Sequence, residues 1–102
     1  MSWPATLAGR SYRGRRLPSG GWRIEARGGE LPAATFVVAG TARGVAVALL
    51  ADAFAGCRVR PDLVEAFAAA WARRLAPCGF RVSAETVAAW GLSWALARDP
   101  DA

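Results

Sequence analysis

The sequence predicts an α+β domain: a three-stranded antiparallel meander followed by three helices packed on one face of the sheet. Three observations carry this prediction. Short alternating or β-branched segments separated by Gly- and Pro-rich turns fill roughly the first 40 residues. Apolar-periodic segments with capping residues fill the remainder. A length of 102 residues with 54% apolar content suits one domain, residues 1–102, with its own core.

The elements follow in order. Residues 1–10 read as a loosely held lead-in. Ser11 to Leu17 is the first strand, with Tyr12 as its aromatic anchor and Gly14 as a bulge. Pro18-Ser19-Gly20-Gly21 is a turn. Trp22 to Arg27 alternates: Trp22, Ile24 and Ala26 face one way, while Arg23, Glu25 and Arg27 face the other. Gly28-Gly29-Glu30 makes the next turn, and Thr35 to Ala39 is the third strand. Short turns pair such neighbours antiparallel.

Thr41 caps a first helix from Ala42 to Ala55, apolar nearly all round, with Arg43 and Asp52 as its charges and Gly56 at its end. Pro61 starts a second helix. Asp62 and Glu65 suit its positive end, and Arg73 and Arg74 its negative end. Leu63, Phe67, Trp71 and Leu75 form its buried stripe, and Pro77 and Gly79 stop it. Phe80 to Val82 is a short extended piece. Ser83 caps a third helix with Val87, Trp90 and Trp94 on one face, ended by Asp99-Pro100.

Composition excludes several classes. The chain is too apolar for intrinsic disorder and too poor in cysteine for a disulfide scaffold. It has no His, Lys, Asn or Gln, and all 13 basic residues are Arg. The Lys-free bias is read as codon usage of a GC-rich genome. No apolar run follows a basic start at the N-terminus, and the stretch Ala33 to Ala55 is interrupted by Arg43 and Asp52. The expectation is a cytoplasmic protein with no membrane partner.

The net charge of +5 is unevenly placed. Residues 1–27 hold Arg10, Arg13, Arg15, Arg16, Arg23 and Arg27 against Glu25 alone, while residues 28–102 balance seven Arg with seven acids. Such asymmetry marks an anionic partner or a solvated face. Trp3 and Trp22 fall in the same basic quarter and are candidates for exposure, whereas Trp71, Trp90 and Trp94 sit on helical stripes and are expected in the core. Trp and Arg are the residue types that make protein hot spots, and also the types that stack on bases and bind phosphates.

An ordered set of short motifs carries a resemblance. Tyr12-Arg13-Gly14-Arg15-Arg16, Gly29-Glu30-Leu31-Pro32, a Gly-Thr-Ala-Arg-Gly turn, and Val45 through Leu49-Leu50-Ala51-Asp52-Ala53 follow one another over residues 11–56. The set resembles a family of short prokaryotic proteins of phages, plasmids and archaea, which begin with Tyr-x-Gly and carry a Gly-Pro-Ala-Gln helix start ending in Leu-Leu-Ala-Asp. This chain lacks that Pro and Gln, and the aromatic-Gly segment before them. The resemblance implies an accessory protein borne by mobile elements and implies no reaction.

Catalytic constellations are sparse. Cys57 and Cys78 flank a helix about 24 Å long, too far apart for a disulfide, and lack the further ligands that zinc needs. They read as free thiols, with Arg58 able to activate Cys57. Gly40-Thr41-Ala42-Arg43-Gly44 leads into a helix N-terminus, where Thr41 and Arg43 could help hold an anion, but the Lys and spacing of a P-loop are missing. Asp62 and Glu65, the one acid pair a turn apart, already suit the helix dipole. The expectation is a protein without enzymatic activity, cofactor or metal.

It is expected to be a protein-binding module docking through Arg13, Arg15, Arg16, Arg23 and Arg27, with Trp3, Tyr12 and Trp22 as anchors. The partner is an acidic protein surface or a nucleoprotein complex. One version is an inhibitor of a host defence complex, such as an anti-CRISPR protein. Two alternatives stand beside it: direct nucleic-acid binding by the same arginines, and a homodimer whose apolar helices pair.

Overall fold

A computed structural model describes residues 2–7, 9–55 and 58–98. It has an antiparallel sheet and three α-helices, but the sheet has four strands and not three, in the order β1-β2-β3-β4. The strands are β1 (Ser2–Leu7), β2 (Arg10–Arg16), β3 (Trp22–Arg27) and β4 (Ala34–Val38). The helices are α1 (Ala42–Ala53), α2 (Pro61–Arg74) and α3 (Ala84–Arg98).

The extra strand lies in the segment read as a loose lead-in. Trp3, Ala5 and Leu7 alternate with Ser2, Pro4 and Thr6, and the first three are buried. Pro4 removes a ladder donor, which an edge strand tolerates, and β1 is an edge strand. The hairpin is so tight that Leu7 pairs with Arg10.

Gly14 makes no bulge. Its register is unbroken on both sides, opposite Trp3 in β1 and Ile24 in β3. Glycine is needed there because a Cβ would overlap the indole of Trp3. The chain reverses between β3 and β4 through Gly28 and Gly29, with φ of 92° and 66° that L side chains rarely adopt.

Thr41 caps α1 as predicted, its hydroxyl accepting from the Gly44 N–H at 3.0 Å. Ser83 does the same for α3, accepting from the Thr86 N–H at 3.2 Å. A 3₁₀ turn, Ala76–Cys78, follows α2. Phe80 to Val82 forms no strand; Phe80 instead drops into the core. Helix α1 stops at Ala53, short of the expected Ala55 and Gly56, with Phe54 as its C-cap donating to the Leu50 carbonyl. The stop of α3 expected at Asp99-Pro100 falls outside the described residues.

Helices α1 and α2 cover one face of the sheet, α1 against β4 and α2 against β1, and α3 packs on both helices. The core holds an aromatic cluster from three elements and the segment that follows the 3₁₀ turn. Trp3, Trp22 and Trp71 all lie within 6 Å, ring to ring, of Phe80. Their indole N–H groups find no acceptor among the described residues, so burial and ring contacts hold this cluster. Trp90 and Trp94 are only half-buried. No helix among the described residues is long and apolar enough to cross a membrane.

Candidate functional site

Strand alternation separates the arginines of the basic quarter. On β2 and β3 the residues facing away from the helices are Ser11, Arg13, Arg15, Arg23, Glu25 and Arg27, all exposed. The register builds them into rows across the sheet. One row runs Ser2, Arg15, Arg23, Val37; the next runs Pro4, Arg13, Glu25, Thr35; a third runs Thr6, Ser11, Arg27. Neighbouring members of a row stand about 4.8 Å apart, and rows are about 6.7 Å apart. Four arginines thus share an open face with one acid.

Among the described residues, none of Arg13, Arg15, Arg23 and Arg27 forms a side-chain hydrogen bond or ion pair. Arg15 and Arg23 stand directly opposite each other. Like charges in that position destabilise a sheet. Two open depressions flank the Arg13–Glu25 pair. One, of about 720 Å³, is bordered by Arg13, Arg15, Arg16 and Arg23. The other, of about 520 Å³, is bordered by Arg13, Arg27 and Arg74. Arg74 comes from the last turn of α2, where the sequence marks it only as a partner for the helix dipole.

The expected aromatic anchors are not on this face. Trp3, Tyr12 and Trp22 are 1%, 2% and 2% exposed. They occupy the opposite parity and meet the helices, because the larger apolar area is gained by burying indole and phenol rings under α1 and α2. Arg16 is also displaced from the row. It has the parity of Trp22, its direct partner, and its guanidinium lies 5.1 Å from the centre of that ring while staying exposed.

Arg10 differs most from its reading as part of a basic surface. It is 2% exposed and all five of its N–H donors are used. Nε donates to Asp52 Oδ2 at 2.6 Å, and Nη2 to Asp52 Oδ1 at 3.2 Å and to the Pro32 carbonyl at 2.6 Å. Nη1 donates to the carbonyls of Gly28 and Leu31 at 2.8 and 3.1 Å. Asp52 accepts a third bond, from the Tyr12 hydroxyl at 2.6 Å. Burial, and then the bond to Asp52, push the Tyr12 phenol far above its ordinary range. The bond to Asp52 raises the Arg10 guanidinium further.

This network joins β2, the β3–β4 turn and α1. It brings together Tyr12, Leu31-Pro32 and Asp52, one residue or pair from each of three motif segments singled out in the sequence. Those segments are bound together by a buried ion pair, which is a packing device. Missing from the sequence reading was the pairing of Arg10 with Asp52, 42 residues apart.

The helix start at Thr41 offers less to an anion than expected, because the Thr41 hydroxyl occupies the Gly44 N–H; Arg43 is exposed. Cys78 is a half-buried free thiol that donates to the Arg74 carbonyl at 3.5 Å. Cys57, and so its pairing with Arg58, falls outside the described residues. Among the described residues no group of three or more Cys, Asp or Glu side chains is placed to hold a metal ion. Family models, curated protein sequences and solved structures were each compared with this chain, and none matches.

Proposed function

We propose that this chain is a small binding module that docks on an anionic macromolecular surface through the open face of its sheet. The surface we favour is the phosphate backbone of nucleic acid. The observation that carries this reading is the unpartnered arginine grid, with Arg15 opposed to Arg23 at its centre. Such a local conflict is a cost to folding, and costs of this kind are retained at functional positions. Anionic oxygens between the rows relieve it, and Arg binds phosphate through its planar fork. Ser11, Thr6 and Thr35 add hydroxyl donors at the margins.

With Trp3, Tyr12 and Trp22 buried, the face has no ring on which a base could stack. Binding is therefore expected to be indifferent to sequence and steeply dependent on salt. Four phosphate contacts give a slope of about −3.6 in log K against log salt on duplex DNA.

A second reading keeps the protein partner with an acidic surface, including a mobile-element inhibitor of a host defence complex. Glu25 within the grid and the exposed Val37 beside it favour that reading. The burial of the aromatic anchors weighs against it, since protein hot spots are rich in Trp and Tyr.

Fluorescence anisotropy with a labelled duplex of about 20 base pairs, titrated across a salt series, tests the proposal. The expected result is binding with the slope above, abolished by the combined change of Arg13, Arg15, Arg23 and Arg27 to Ser. Absence of binding at low salt overturns it. Retention of one protein from nuclease-treated lysate, lost with the same quadruple variant, assigns the second reading.

A further inference from the structure

Glu25 is the one acid among the strand residues of the open face, and it sits among the arginines. Arg13 stands directly opposite it on β2, and Arg23 and Arg27 flank it on the same side of β3. Arg15 is its diagonal neighbour, about 7–8 Å away. Among the described residues the Glu25 side chain forms no hydrogen bond or ion pair, even with Arg13. Arg13 and Glu25 border both depressions of the face. Arg15, Arg16 and Arg23 border only one of them, and Arg27 and Arg74 only the other. The rows that hold Arg15–Arg23 and Arg27 are about 13 Å apart, two steps along the strand pairs of about 6.7 Å each. A carboxylate between them repels the phosphates proposed for this face. Its place there fits a nucleic acid that puts a hydrogen-bond donor between two lines of phosphate.

We infer that the grid takes double-stranded RNA across its minor groove, with the Glu25 carboxylate accepting from ribose 2′-hydroxyls. This inference rests on the nucleic-acid reading of the same face and names the class of nucleic acid. The 2′-hydroxyl is a donor that every ribonucleotide carries and DNA lacks. The minor groove of an A-form helix is wide and shallow and displays those hydroxyls between its two backbones. A sheet face reaches them without entering a groove. Phosphates of one backbone then fall on the Arg15–Arg23 side, and those of the other on the Arg27–Arg74 side.

Duplex DNA gives Glu25 no equivalent partner. Its grooves are about 7.5 and 8.5 Å deep, and the major groove admits a helix or a two-stranded ribbon. The broad face of a four-stranded sheet stays outside both. The DNA minor groove also presents mainly acceptors, adenine N3 and thymine O2, to a carboxylate. A 2′-hydroxyl contact needs no particular base, which agrees with a face that has no ring for stacking.

Fluorescence anisotropy at one low salt concentration tests the inference with duplexes of one sequence and about 20 base pairs. The probes are RNA, DNA, and 2′-fluoro RNA, which keeps the A-form shape and the phosphates but not the hydroxyl donor. The unaltered chain is expected to bind RNA about tenfold more tightly than 2′-fluoro RNA or DNA. Glu25→Ala removes the acceptor and the repulsion together. It is expected to bind DNA more tightly than the unaltered chain does, and to bind RNA and 2′-fluoro RNA within about twofold of each other. Glu25→Gln keeps one acceptor oxygen and is expected to keep part of the preference. Equal binding of RNA and 2′-fluoro RNA by the unaltered chain overturns the inference, and this comparison needs no variant to fold. A preference that survives Glu25→Ala overturns it as well. Either result leaves the nucleic-acid reading in place, because duplexes are still bound. Failure to bind any of the three overturns both.

Discussion

The two faces of β2 and β3 are built from the same residue types and behave oppositely. Toward the helices, Arg10 is buried with every donor satisfied, and Tyr12 and Trp22 are closed under α1 and α2. Toward solvent, Arg13, Arg15, Arg23 and Arg27 stand without a side-chain partner among the described residues. One step along the strand changes an arginine from internal brace to external contact. The difference teaches that arginine count alone says little about a binding face, because strand parity and distant partners decide what each guanidinium does.

If Arg10 and Asp52 brace the fold, breaking that pair has the largest effect. Asp52→Ala leaves a buried guanidinium without its counter-charge and is expected to cost about 3–5 kcal/mol. That is a large share of the stability of a small domain, and thermal unfolding followed by circular dichroism reads it. Replacing Arg10 by Met as well should not restore the loss, because the carbonyls of Gly28, Leu31 and Pro32 then lose their donors. Full recovery by the double variant would show that the pair is dispensable.

A smaller effect is expected at Tyr12. Tyr12→Phe removes one bond to a carboxylate and is expected to cost about 1.5–3 kcal/mol. The folded protein holds the Tyr12 proton to higher pH than the unfolded chain does. Stability from this group is therefore complete below the ordinary tyrosine value of about 10 and is lost as pH rises past it. Tyr12 is the sole tyrosine, so phenolate absorbance reports it alone. Ionisation should coincide with alkaline unfolding, and Tyr12→Phe should flatten the fall in stability above pH 10. Phenolate appearing at about pH 10 in a folded protein would show that Tyr12 is not held as described.

The smallest change in stability, with the opposite sign, belongs to the outer face. Arg15→Ser relieves the opposition to Arg23 and is expected to raise stability by about 0.2–1 kcal/mol. The same change should lower the salt slope of duplex binding by about one. Loss of stability would mean that the arginine grid serves the fold, and the contrast between the faces would fail.

Much of this was legible in the chain. The alternation of Trp22 to Arg27 predicts β3 with its charged side, and Thr41, Pro61 and Ser83 mark the helix starts. The first strand was not, because Pro4 argues against a strand unless the strand is known to be an edge. Trp3 and Trp22 suggested exposure through their basic neighbours, yet their parity sends them inward. Arg74 and Arg10 could not be placed, since each acquires its role from elements far along the chain.

Local chemistry thus settles the order of strands and helices, their caps and the alternation of each strand. These depend on neighbours within a few residues, where turn geometry and backbone hydrogen bonding act. Tertiary structure decides which side of the sheet the helices cover, and with it which arginines are enclosed. That choice depends on joining Arg10 to Asp52, and Trp3 and Trp22 to Trp71 and Phe80, across separations that no local pattern encodes. The closed side gains the burial of three indoles and a phenol, and the open side is left with charges that cannot be desolvated without partners.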